Sequence, residues 1–142
     1  MRPPMGPGRP PPNNGPMNAH TSIYLVDDSA AIRSRLAEMV GRIEGVRVVG
    51  EAASAPEAIV GILATRPDSV VLDLNLERSN GLQVLQAVHP QSPATEFIVL
   101  TNHVEPQYRR ACERAGAAHF FDKASEFDRV ALVVTRIASG RH

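Results

Sequence analysis

Five polar residues follow apolar runs of the sequence, and together they could perform phosphoryl chemistry. Asp27 and Asp28 come after the first run, and Asp73, Thr101 and Lys123 come after later ones. Each alone has an ordinary explanation, because acids before a helix cap it and favour its dipole, and a lone Lys or Thr is usually a surface group. One site explains all five together if parallel strands bring them to the same edge of a sheet. We therefore interpret them as a functional site.

Three carboxylates in one pocket carry more negative charge than a single lysine neutralises. With Asp27, Asp28 and Asp73 ionised and Lys123 protonated, the net charge is about −2, which a divalent cation would cancel. Oxygen ligands favour a hard ion, and an open site that keeps its waters suits Mg²⁺ better than Ca²⁺. Beside a lysine and the Thr101 hydroxyl, such a site can stabilise a phosphoryl group in transfer. Asp73 is the best candidate for the nucleophile, because it stands alone after a central strand.

Short aliphatic runs alternate with amphipathic helical patterns from residue 21 onward. The runs are too continuously apolar for a sheet with one wet face, so helices should cover both faces. Strict alternation with short connections predicts an α/β fold with a doubly wound, five-stranded parallel sheet. The predicted strands are 23–26, 46–49, 69–72, 97–100 and 119–121, and the predicted helices are 32–43, 55–66, 82–89, 106–115 and 126–138.

Length and composition limit the remaining possibilities. The chain has 142 residues, and residues 1–20 hold seven of its 12 prolines without any Val, Ile, Leu or Phe. We therefore predict a disordered tail over 1–20 and one folded domain over 21–142. Fifteen basic and 15 acidic residues give no overall field for nucleic acid or membrane surfaces. A single Cys and the lack of an apolar run of about 20 residues predict a cytoplasmic protein without a membrane segment.

Five ordered motifs resemble the receiver domain of response regulators, the CheY-like phospho-acceptor module of two-component signalling. The resemblance covers about residues 22–139. The motifs are Tyr24-Leu25-Val26-Asp27-Asp28-Ser29, Val71-Leu72-Asp73-Leu74-Asn75, Gly81 eight residues after Asp73, Val99-Leu100-Thr101-Asn102, and Gly116-Ala117 leading to Phe120-Phe121-Asp122-Lys123. The resemblance implies a flavodoxin-like (βα)5 fold.

The resemblance also implies a role for each site residue. Asp73 would accept a phosphoryl group from a phosphohistidine on a sensor histidine kinase or a histidine phosphotransfer protein. Lys123 and Thr101 would contact the phosphoryl oxygens, and Thr101 and Phe120 would form the switch. The Mg²⁺ ligands would be Asp27, Asp28, Asp73 and the backbone carbonyl of Asn75. The domain would catalyse only its own phosphorylation and dephosphorylation, so we do not expect an enzyme with an external substrate.

The sequence departs from the family pattern in three places, none of which removes a site residue. Leu76-Glu77 replaces the usual Met-Pro after the acceptor strand, so that loop should take another course. Ala124 stands where Pro often follows the lysine, and Phe120 lacks the hydroxyl of the frequent Tyr.

The signal is predicted to leave through the fourth helix, the fifth strand and the fifth helix. Leu132 should be exposed there, and Tyr108 should be buried with Ala111, Cys112 and Ala115. Phosphorylation would change association through this face, either in a homodimer or with an unknown target. Because the chain ends soon after the fifth helix, we expect no direct DNA binding. The lack of a long apolar run predicts no membrane contact.

Two other classes remain open. A pseudo-receiver would use the same fold as a phosphorylation-independent interaction module, although the complete set of five site residues disfavours it. A haloacid-dehalogenase-like phosphatase also uses an Asp nucleophile beside a parallel sheet. That class needs a second Asp two residues after the first, where this chain has Asn75.

Overall fold

The computed structural model describes residues 20–140, so the predicted tail lies almost entirely outside the described residues. Within this range the predicted strands and helices alternate along the chain, and two additional short strands lie between the third strand and the third helix. The strands are β1 (Thr21–Val26), β2 (Val46–Ala52), β3 (Ser69–Leu72), β4 (Asn75–Leu76), β5 (Ser79–Asn80), β6 (Glu96–Thr101) and β7 (His119–Asp122). The helices are α1 (Ala30–Gly41), α2 (Ala55–Thr65), α3 (Gly81–Val88), α4 (Pro106–Arg114) and α5 (Arg129–Ser139), and a 3₁₀ turn spans His89–Gln91.

Five strands form one parallel sheet in the order β2-β1-β3-β6-β7. Residues of α2, α3 and α4 pack on one face, and residues of α1 and α5 pack on the other. This arrangement confirms the doubly wound flavodoxin-like fold. The chain leaves β1 towards β2 on one side and returns to β3 on the other, so the topological switch point lies between β1 and β3. Ligands of open α/β sheets bind at this point, beyond the carboxyl ends of the strands.

Two local features differ from the prediction. The loop after β3 contains a two-stranded antiparallel hairpin, β4–β5, which buries Leu76 to 5% exposure. Helix α5 begins at Arg129 rather than at residue 126, because residues 126–128 form a turn. The hairpin strands have only two residues each, too few for an alternating pattern to reveal them.

Helix α4 is the most exposed helix, and the predicted burial of Tyr108 is wrong. Cys112 is the only residue of α4 that is fully buried, whereas Tyr108 is 41% exposed. The Tyr108 ring instead contacts the ring of His103, with centroids 5.5 Å apart. The small Cys112 side chain provides the contact of α4 with the core, and the Tyr108 ring lies at the edge of the buried surface of the helix. Among the helices of residues 20–140, none has the length and apolar character needed to cross a bilayer.

Tyr24 occupies a slot between two glycines. Its side chain is 5% exposed, and Gly50 of β2 and Gly61 of α2 both lie against its ring. The hydroxyl donates to the carbonyl of Glu51 at 3.4 Å. A side chain at either glycine would overlap the ring, so the pair fixes the packing of α2 on the sheet.

We expect Gly61→Ala to lower the free energy of unfolding by about 1–3 kcal/mol, because the new methyl group overlaps the buried Tyr24 ring. Urea denaturation measures this change. Gly41→Ala is the matched control, since a methyl group at Gly41 meets no atom within 4 Å. Equal stability of the Gly61 variant and wild type would show that Tyr24 can leave the slot at no cost.

Candidate functional site

Three site residues directly follow the carboxyl ends of sheet strands. Backbone hydrogen bonds extend the strand pairing by one residue: the amide of Asp27 donates to Ala52 at 3.1 Å, and the amide of Asp73 donates to Val26 at 3.0 Å. The amide of Lys123 donates in the same way to Thr101 at 2.9 Å. The predicted convergence at one sheet edge is therefore a consequence of parallel strand pairing.

The acidic side chains meet around a single lysine. Carboxylate oxygens of Asp27, Asp28 and Asp73 all lie within 4.8 Å of one another. Asp27 and Asp73 are buried at 1% and 4% exposure, whereas Asp28 is exposed. Lys123 Nζ lies 2.7 Å from Oδ2 of Asp27 and 2.7 Å from Oδ2 of Asp73. A cavity of about 280 Å³ opens over these groups.

The second oxygen of each buried carboxylate accepts from a backbone amide two residues later. Asp27 Oδ1 accepts from Ser29 at 2.9 Å, and Asp73 Oδ1 accepts from Asn75 at 3.3 Å. Each carboxylate is thereby held in one orientation, between a fixed amide and the lysine. Since a carboxylate has about four acceptor positions, both acids retain capacity for a further ligand.

Burial and the contacts between the charged groups act in opposite directions on the ionisation of this cluster. Burial raises the pKa of Asp27, and the neighbouring Asp73 charge raises it further, although the Lys123 and Ser29 hydrogen bonds oppose both effects. Burial lowers the pKa of Lys123, but the hydrogen bonds and charges of Asp27 and Asp73 outweigh it, so the net direction is upward. The lysine therefore stays protonated at neutral pH, and the buried acids share one positive charge.

Arg33 of α1 contacts the backbone of the acidic pair, a role that the sequence analysis did not predict. Its Nη1 donates to the backbone carbonyl of Asp27 at 2.5 Å, and its Nε pairs with Glu51 at 2.9 Å. The side chain is only 18% exposed. Arg33 lies four residues after the N-cap Ser29, in the first turns of the helix that follows the acids, but this spacing alone does not predict the contact.

The two predicted switch residues lie beneath the surface. Thr101 is fully buried at the end of β6, is not among the residues lining the cavity, and its Oγ1 accepts from the His103 amide at 3.1 Å. Phe120 of β7 is 6% exposed, and the Arg109 guanidinium of α4 covers its ring at 4.6 Å from the centroid.

The donor set fits a hard divalent cation. All three converging side chains offer carboxylate oxygens, and the single lysine leaves an excess of negative charge. In residues 20–140 no other group of three acidic, His or Cys side chains converges in this way. The residues that could hold a divalent cation are therefore the acids of the lysine-bridged cluster.

Fold and site together define a doubly wound α/β domain with an acidic, lysine-bridged pocket at its switch point. The sequence model of one protein family, the response regulator receiver domain, matches residues 23–135. The chain belongs to this family. This finding confirms the resemblance predicted from the motifs.

Similar proteins include regulators of transcription. The DNA-binding transcriptional activator DevR/DosR of Mycobacterium tuberculosis is 30% identical over 119 residues, which cover 84% of this chain and 55% of the relative. A LuxR-family two-component response regulator from Aurantimonas has a solved structure with 29% identity and a TM-score of 0.78, covering 87% of this chain and 89% of that one. The signal receiver domain of the putative response regulator NarL from Mycobacterium tuberculosis is 28% identical with a TM-score of 0.77, covering 86% of this chain and 98% of that one.

These relatives correct the prediction about DNA. The chain spans about half the length of the curated relatives it matches, and the first of them is described as DNA-binding. The expectation of no direct DNA binding is therefore wrong. It was drawn from where the chain ends, and the end of a receiver domain carries no information about its output.

Proposed function

We propose that this receiver domain accepts a phosphoryl group on Asp73 from a phosphohistidine of a sensor histidine kinase or histidine phosphotransfer protein. The observation that carries the proposal is the Lys123 ammonium held 2.7 Å from both Asp27 and Asp73 within the acidic cluster. Lys123 lies where it can neutralise charge on an incoming phosphoryl oxygen beside the Asp73 nucleophile. Thr101 would supply a hydroxyl to a second oxygen.

The proposed cofactor is Mg²⁺. Its ligands would be Asp27, Asp28, Asp73 and the backbone carbonyl of Asn75. When bound, the ion supplies positive charge that reduces the repulsion between the carboxylates and a phosphoryl group. Because Asp28 is the exposed member of the three acids, it would be the ligand that the ion meets first from solvent. A cytoplasmic location also stays a prediction.

Incubation with a small phosphodonor tests this function. We expect an acyl phosphate after addition of acetyl phosphate and Mg²⁺, detected as an added phosphoryl mass and mapped to the peptide that contains Asp73. Absence of the acyl phosphate would favour the pseudo-receiver. Sustained hydrolysis of a generic phosphate monoester would favour the phosphatase class.

We further propose that the output leaves through the α4–β7–α5 face, formed by Pro106–Arg114, His119–Asp122 and Arg129–Ser139. Phe120 of β7 is packed beneath the α4 residue Arg109, so a change in the packing of Thr101 and Phe120 would reach this face directly. Leu132 is 70% exposed on α5. The relatives that regulate transcription favour a transcriptional output, through self-association or a target protein.

Leu132→Asp tests the output face. We expect this variant to form the acyl phosphate normally and to lose the phosphorylation-dependent change in association, measured by sedimentation velocity with and without beryllofluoride. Val60→Asp is the matched control, because Val60 is 71% exposed on α2, outside the α4–β7–α5 face. Loss of association in the control and not in the Leu132 variant would place the output elsewhere.

A further inference from the structure

The segment that carries Lys123 has no regular secondary structure of its own. Residues 123–125 form a turn between the end of β7 and the turn that precedes α5. No residue between Lys123 and α5 is a proline, so the ring of an imino acid does not fix this backbone. Holding a long lysine side chain in one conformation costs entropy. The position of the ammonium group therefore depends on where the backbone places the Cα of Lys123.

Asp122 and Glu126 close a ring of hydrogen bonds around this turn. The Asp122 amide donates to Glu126 Oε1 at 2.8 Å, and the Glu126 amide donates to the Asp122 carbonyl at 2.7 Å. Inside the ring, the Ala124 amide donates to Asp122 Oδ1 at 2.9 Å. Two residues four apart are therefore joined by two hydrogen bonds, which restrict the turn between them.

Lys123 is attached to the sheet from inside this ring. Its amide donates to the Thr101 carbonyl at 2.9 Å, while its Nζ reaches Asp27 and Asp73. Asp122 and Glu126 flank Lys123 and the two residues after it, so opening the ring would release the backbone that carries the Lys123 side chain. The position of the ammonium between the two carboxylates would then be less defined.

We propose that Glu126 is a positioning residue that holds the Lys123 turn, and thereby the ammonium, in the geometry used for phosphoryl transfer to Asp73. This inference rests on the proposed function for its kinetic consequence. The Glu126 side chain is 31% exposed, and Arg129 Nε lies 3.6 Å from its Oε2. One carboxylate oxygen is thus available for the Asp122 amide, while the other faces a cation.

Three variants separate the hydrogen bond from the charge. Glu126→Ala removes the acceptor of the Asp122 amide, and Glu126→Gln keeps an acceptor oxygen without the charge. Asp128→Ala is the control, because Asp128 is an acid of the same turn that makes no side-chain cap hydrogen bond. We expect acyl-phosphate formation to fall about tenfold in Glu126→Ala, since small displacements of a reacting group are costly. The Gln and Asp128 variants should stay within about twofold of wild type.

The lysine itself supplies a direct readout. Lys123 is the only lysine of the chain, so protein labelled with ¹⁵N-lysine gives one backbone amide signal. We expect this amide to exchange with solvent faster in Glu126→Ala than in Glu126→Gln or wild type. The measurement needs no phosphorylation, so it tests the positioning role even if wild type forms no acyl phosphate.

Three results would overturn the proposal. One is an unchanged lysine amide and an unchanged rate in Glu126→Ala. Another is an equal loss in the Ala and Gln variants, which would assign the effect to charge. In a Lys123→Met background assayed with Mg²⁺, Glu126→Ala should cause no further loss of rate, because the group it positions is absent. An additive loss there would instead indicate a general effect on stability, and would also contradict the positioning role.

Discussion

Asp73→Asn is expected to abolish acyl-phosphate formation, with a loss of at least about 100-fold in rate. The reaction needs a carboxylate oxygen as nucleophile, and an amide at this position offers none. Asp73 is 4% exposed and already oriented by Lys123 and the Asn75 amide, so its carboxylate is held beside the lysine that would receive the phosphoryl oxygen. Mass spectrometry after incubation with acetyl phosphate and Mg²⁺ measures the loss.

A matched control separates the nucleophile from charge in general. Glu77→Gln makes the same chemical change at an exposed acid in the loop that follows Asp73. It should react at the wild-type rate, whereas excess chelator should stop wild type as completely as Asp73→Asn does. Modification of the Asn variant at the wild-type rate, or reaction that is indifferent to chelator, would refute the assignment of Asp73 and of the cation site.

The convergence of the site could be predicted because it depends on topology. Apolar runs of three or four residues predicted parallel strands, and parallel strands place their carboxyl ends at one edge. Asp27, Asp73 and Lys123 each follow a strand directly, so their meeting required no knowledge of side-chain packing. The positions of these residues were therefore predictable, although their roles in phosphoryl transfer remain proposals.

The contacts that refine the site depend on side-chain packing, which a single sequence does not display. Asp27 and Asp28 are adjacent identical acids, yet one is buried and the other exposed. Arg33 bonds to a backbone carbonyl that no residue pattern marks. Glu126 was predicted to begin a helix, but its carboxylate instead closes the lysine turn. These contacts are hydrogen bonds made by Asp, Arg and Glu. Because such residues also occur in many other roles, their presence in a sequence does not predict the contact.

The exposed rim of the domain was also harder to predict than its core. Tyr108 has an apolar ring at a helical spacing that suits a buried face, yet it contacts His103 beside the site. Cys112, four residues later, provides the fully buried contact of α4. A short helix with one small core residue has no wide apolar stripe, so the periodicity of its apolar residues says little about which face is turned towards the core.

Lys123→Met is expected to lower the free energy of unfolding of the metal-free protein by about 2–3 kcal/mol at neutral pH. Among residues 20–140, the substitution removes the only side-chain cation paired with the buried carboxylates of Asp27 and Asp73, and leaves them facing each other. Arg42→Met is the control, since the Arg42–Glu38 pair is exposed on both sides and should change stability by no more than about 0.5 kcal/mol. Urea denaturation at a fixed pH measures both differences.

The deficit of Lys123→Met should depend on pH and on Mg²⁺. Burial already raises the pKa of Asp27 in wild type, so ionising this acid costs folded-state stability as the pH rises through the raised pKa. Without the lysine that pKa should rise further, and the variant should lose more stability relative to wild type at pH 7.5 than at pH 5. Millimolar Mg²⁺ should reduce the deficit at pH 7.5, because the folded acids then gain a cation that the unfolded chain binds poorly. A deficit that is equal at both pH values and unaffected by Mg²⁺ would mean that Lys123 contributes packing rather than charge, and the electrostatic account of the site would fail.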